Sequence, residues 1–128
     1  MGKLNFNKES SVIVIETEIK IGDKIVKPRM ILDTGATYTM IPYNIAKVLN
    51  LQPEISYEKI NIITASGVEE LPIVTLDTVQ VIGSEAKNIK AVVHDLPEKS
   101  NVDGLLGLSF LKNFNINLNF KEGFLEIN

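Results

Sequence analysis

Met30-Ile31-Leu32-Asp33-Thr34-Gly35-Ala36 is the stretch on which the reading of this chain turns. A carboxylate follows three large apolar residues, so a strand bound for the interior delivers a charge to its edge. Removing that charge from water is costly unless hydrogen-bond donors or a shared proton receive it. The Thr34 hydroxyl and the Gly35 backbone N–H, one and two residues on, are donors of the right kind. Two plainer readings stand beside a functional one. Asp33 can end a buried strand as an ordinary turn or cap residue, or the segment through Thr37 can be a phosphate loop. A phosphate loop of this type belongs to a fold of two large lobes with further nucleotide motifs, for which 128 residues are too few.

Upstream, Ile13, Ile15, Thr17, Ile19 and Ile21 fall on one face of an extended segment and Glu16, Glu18 and Lys20 on the other, the period-two pattern of a strand. Gly22-Asp23-Lys24 supplies a turn, and Ile25-Val26 and Met30-Ile31-Leu32 continue a sheet. Downstream, the spacing of Ile41, Ile45, Val48 and Leu49 predicts a helix with Pro42 at its first position and Asn50 as terminator. Tyr57 to Thr64 and Leu71 to Val74 read as strands around a turn at Ala65-Ser66-Gly67. A second hairpin runs from Thr75 to Ile82, turns at Gly83-Ser84 and returns through Ile89 to His94. Residues 95–103 form a polar loop. Leu105-Leu106-Gly107-Leu108 follows, then a short helix capped by Ser109 that carries Phe110, Leu111 and Phe114. Ile116, Leu118 and Phe120 alternate with asparagines, Lys121-Glu122-Gly123 turns the chain, and Phe124 to Ile127 is a last strand. The order strand, Gly22 turn, strand, Asp33-Thr34-Gly35 loop, helix is echoed by strand, Gly83 turn, strand, Leu105-Leu106-Gly107 loop, short helix.

Composition narrows the chemistry. The length suits one domain, residues 1–128 with a core of about 12–127, and 45 % apolar residues suffice for its interior. The absence of cysteine excludes a catalytic thiol, a disulfide scaffold and a cysteine-ligated zinc site. A single histidine, His94, leaves neither a histidine-rich metal site nor a histidine-based triad, so no metal or cofactor is expected, and His94 itself reads as a strand-end residue with a local partner. The net charge of −3 is mild and the lysines are scattered, which argues against nucleic acid as a partner. No apolar stretch approaches the roughly 20 residues that span a bilayer, and the N-terminus lacks a signal-peptide core. A soluble, cytoplasmic protein is the expectation.

In context the quoted stretch resembles the retropepsin-like aspartic proteases, in their bacterial and cellular branch. Apolar-apolar-Asp33-Thr34-Gly35-Ala36 resembles the family's catalytic loop, and Ile63-Thr64-Ala65-Ser66-Gly67-Val68 its flap. Asp103-Gly104-Leu105-Leu106-Gly107-Leu108-Ser109-Phe110-Leu111 is similar to its hydrophobic-hydrophobic-Gly segment and following helix. Order and spacing agree over roughly Val12 to Ile127. The resemblance implies an all-β acid-protease barrel with one or two short helices, one lobe per chain. It implies a homodimeric endopeptidase in which Asp33 from each chain, held by Thr34 and Gly35, activates one water against a peptide or protein substrate. It further implies that Ala36, Thr64, Ala65, Ser66, Gly67, Leu105 and Leu106 line the substrate site, with a supporting role in the core as the alternative for the two leucines. Asp103 is either a within-chain partner of Asp33 or, as expected here, part of a turn with Gly104. The competing functions are a retropepsin-fold dimerisation or peptide-binding module without catalysis, and an unrelated all-β binding domain.

Overall fold

The computed structural model describes residues 2–98 and 100–128. The first strand, β1 (Gly2–Asn5), is followed by β2 (Val14–Ile21), β3 (Lys24–Val26) and β4 (Arg29–Leu32), which leads into Asp33. A short β5 (Thr39–Ile41) leads into α1 (Tyr43–Val48) and a single 3₁₀ turn, Pro53–Ile55. Two long hairpins come next: β6 (Lys59–Thr64) with β7 (Gly67–Val81), and β7 with β8 (Ser84–Val93). The chain closes with β9 (Gly104–Leu106), α2 (Leu108–Leu111), β10 (Ile116–Asn119) and β11 (Phe124–Ile127).

Ile15, Thr17 and Ile19 are buried on alternate positions of β2, as the period-two pattern requires. Because β2 pairs with β4 at one end and β7 at the other, the order β2-β4-β9-β5-β8-β7 closes on itself as a barrel. Met30, Ile41, Leu76, Val79, Leu106 and Phe110 fill it, each essentially without exposure. The ends of the chain form a separate antiparallel sheet, β1-β11-β10, whose Leu125 and Ile127 pack on the same core.

At the barrel's centre the strands interlock about a local two-fold. β4 runs parallel to β9 and β8 runs parallel to β5, while β5 and β9 meet antiparallel at Met40 and Leu105. The residue after β4, Asp33, donates its N–H to the Leu106 carbonyl at 3.0 Å. The residue after β8, His94, donates its N–H to the Ile41 carbonyl, also at 3.0 Å. The internal echo is thus physical, but its frame differs from the sequence expectation. His94 is the counterpart of Asp33, and Met40-Ile41-Pro42 is the counterpart of Leu105-Leu106-Gly107.

That shift arises from β5, which the helix expected from Ile41 concealed. Ile41 is a buried strand residue, and Pro42 precedes the helix in extended backbone, φ −76° and ψ 163°, instead of occupying its first position. Ala46 and Leu49 face inward, whereas Val48 faces solvent. Asn50 ends the helix as expected, in the left-handed region at φ 58°. β7 is one continuous strand through residues 67–81, not two. Pro72, which has no N–H to give, sits where β7 changes partner from β6 to β8. The β7–β8 turn falls on Ile82-Gly83, both at positive φ, the conformation that matches the twist of a two-residue hairpin. Ser109 lies inside α2, whose N-cap is Gly107, so its hydroxyl is free for another task. β1 was not anticipated. It pairs with β11 from Gly2 opposite Ile127 to Asn5 opposite Phe124.

Candidate active site

Asp33 leaves the barrel at the end of β4, half-buried, and enters a tight turn. Its Oδ1 accepts the Gly35 N–H at 2.9 Å, and its carbonyl accepts the Ala36 N–H at 3.3 Å. A Cβ added to Gly35 would stand 3.3 Å from Asp33 Oδ1, tighter than an ordinary contact, so glycine suits the turn by its small size. Thr34 and Gly35 face solvent and Ala36 is half-buried. One carboxylate oxygen is held and its surroundings stay open, an arrangement that keeps the group available for chemistry.

The turn is clamped from a distant part of the chain. The Ala36 carbonyl accepts the Leu108 N–H at 2.8 Å and the Thr37 carbonyl the Ser109 N–H at 3.0 Å, so α2 spends its free N-terminal donors on the Asp33 loop. Thr39, fully buried, donates its N–H to Ser109 Oγ at 2.9 Å. Its Oγ1 accepts the Gly107 N–H at 3.2 Å and the Ser109 hydroxyl at 3.0 Å. Gly107 fits beneath the loop only because it lacks a side chain: a Cβ there would lie 2.5 Å from the Tyr38 carbonyl oxygen and 2.8 Å from that of Ala36. Thr39 and the Ser109 hydroxyl were missed in the sequence; a threonine between Tyr38 and the apolar Met40-Ile41 was the available signal.

Leu106 is buried in the core beneath Asp33, and Leu105 is half-buried on β9. A cavity of about 350 Å³ opens beside Asp33 and Thr34, walled by Val12, Ile31, Leu32 and Leu118 with Lys8 and Phe120 on its lining. Asp103 lies away from Asp33. It bridges to the far end of β4, its Oδ2 accepting the Arg29 N–H at 2.9 Å and its own N–H reaching the Arg29 carbonyl at 2.8 Å.

The β6–β7 hairpin turns at Ala65-Ser66, with Thr64 opposite Gly67 and Gly67 at φ 124°. Ala65, Ser66 and Gly67 are exposed; the Thr64 side chain lies outside the described residues. One face of the hairpin root, Ile60, Ile62 and Leu71, packs with Tyr38, Ile73 and Val92 into a small apolar cluster of its own. The other face carries Ile63 and Val68 near the tip, 88 % and 70 % exposed. Tyr38 follows the Asp33 turn by two residues beyond Ala36, so this cluster joins the hairpin root to the loop of the site. Among the described residues no three His, Asp or Glu gather as a metal-binding group, and no helix is long and apolar enough to cross a membrane.

The family described as "gag-polyprotein putative aspartyl protease" matches residues 17–113. The fold is similar to that in the crystal structure of a retropepsin-like aspartic protease from Rickettsia conorii. The two share 26 % identity over 98 % of this chain and 99 % of that one, with a TM-score of 0.72. No curated protein matches. The architecture is accordingly the retropepsin-like single-lobe all-β fold with two short helices.

Proposed function

Since the chain belongs to the gag-polyprotein aspartyl protease family, we propose that it is an aspartic endopeptidase that works as a homodimer. The observation that carries this is the Asp33 turn: a single carboxylate, held by Gly35 and clamped by α2, at an open face of a chain with one Asp-Thr-Gly. Hydrolysis by this chemistry needs two carboxyl groups sharing one proton about a water. The second is Asp33 of the partner chain, brought opposite by a two-fold axis, with Thr34 at the seam between the two turns.

The ionised Asp33 takes a proton from water as the water oxygen bonds to the scissile carbonyl carbon. The protonated Asp33 gives its proton to the carbonyl oxygen. Collapse of the tetrahedral species returns that proton, breaks the C–N bond, and passes a proton to the departing nitrogen, leaving an acid and an amine. Substrate lies extended between the Asp33 turns and the β6–β7 hairpin, which acts as a flap through residues 64–67 and offers main-chain hydrogen bonds as an added strand does. Ala36 and Leu105 border this channel, and the cavity beside Asp33 receives an apolar side chain next to the cut bond.

Subunit mixing tests the reading. Asp33→Asn removes the base with little change of shape, so the mutant alone should not cleave a peptide library while still folding and dimerising. When wild type and mutant are mixed and allowed to exchange, activity per total chain should follow the square of the wild-type fraction. A linear dependence, or turnover by the mutant alone, overturns the dimeric site.

A further inference from the structure

The internal two-fold puts His94 where the other half carries Asp33, and its side chain points to a use of its own. Its Nδ1 stands 4.0 Å from Glu69 Oε1, on the returning strand of the β6–β7 hairpin. Glu69 lies opposite Ile62 and two residues from Leu71, so it shares the face that roots the hairpin in the apolar cluster with Tyr38 and Val92. His94 is fixed from the barrel side. Its N–H is bound by the Ile41 carbonyl, and the next residue, Asp95, accepts the Tyr43 N–H on Oδ1 at 3.0 Å. Nearby charges are engaged elsewhere, Glu58 with Lys90 and Glu70 with Lys59. Beyond Glu69 towards the tip, Ile63 and Val68 are exposed, so apolar packing holds that end weakly.

We propose that His94 is a positioning residue: through Glu69 it tethers the hairpin to the barrel and sets how often the hairpin lifts. This rests on the protease reading only for its consequence in turnover. At 4.0 Å the contact is longer than a hydrogen bond, so the tether is the attraction of a charged ring for the carboxylate. A partly exposed pair of this kind shifts an open–closed equilibrium by up to about fivefold.

The test is hydrogen exchange of residues 60–71 in the full-length Asp33→Asn protein at about pH 5.5, where no catalysis intervenes. His94→Ala and Glu69→Ala should each speed exchange there about two- to fivefold, with the barrel strands unchanged and the double variant no faster than either single one. His94→Gln, which is polar but carries no charge, should behave as His94→Ala does. In the protein with Asp33 intact, the same variants should raise KM for a peptide by a similar factor while kcat stays within about twofold. Unchanged exchange in both single variants, additive effects in the double, or acceleration spread over the whole barrel overturns the tether. Absence of cleavage by the wild type overturns the protease reading alone and leaves the exchange result standing.

Discussion

The Thr39 hydroxyl accepts two hydrogen bonds at a fully buried position, and both partners belong to the segment that supports the Asp33 turn. Thr39→Val keeps the shape and removes the acceptor, leaving the buried Gly107 N–H without its partner. Stranding a buried donor costs about 1–3 kcal/mol, so urea unfolding should show a loss of that size with an unchanged slope. Cleavage should fall as well, because the carbonyls of residues 36–37 lose part of what holds α2 against them. Asp33 and Gly35 could be read from the sequence because they bond across two residues. Thr39 and Ser109 could not, because 70 residues separate them and nothing local marks a hydroxyl as an anchor for the other.

At the scale of elements, the long alternating strands β2 and β8 and the turns at Gly22 and Gly123 were legible, since periodicity and turn chemistry act over a few residues. β5 was not. Its three residues are too few to show alternation, and Pro42 beside Ile45 and Leu49 favours a helix reading that swallows Ile41. β1 escaped because its one partner, β11, lies at the other end of the chain. The β6–β7 hairpin was recognisable from its apolar strands and Gly67, and that glycine supplies a test. At φ 124° a valine is strained by about 1–3 kcal/mol. The exposed tip can relieve this by rearranging locally without disturbing the barrel. Gly67→Val should lower the melting temperature by only a few degrees yet reduce kcat/KM at least about tenfold, read from thermal unfolding and peptide cleavage on one preparation. A fall in stability without a fall in cleavage would separate the tip from the substrate channel.

For the whole molecule, the proposed completion of the site by a second chain would tie activity to concentration. Specific activity should drop on dilution below the dimer dissociation constant, and a peptide-mimetic inhibitor that spans both turns should restore the dimer in sedimentation and raise the melting temperature with inhibitor concentration. A specific activity independent of dilution down to the lowest measurable level would leave no role for dissociation. The interlock of β4 with β9 and β5 with β8 bears on how the chain reaches this state at all. Each parallel pair joins the first half of the sequence to the second, so each needs a long closure before it yields stabilisation. Refolding should then be slow for this size, in milliseconds to seconds. Two fragments cut near the fully exposed Tyr57 should stay unfolded apart and fold only when combined. A newly made chain lacks the Leu108 and Ser109 clamp on its Asp33 turn until residues 104–109 arrive, so the proposed protease would stay idle while its own strands are still unpaired.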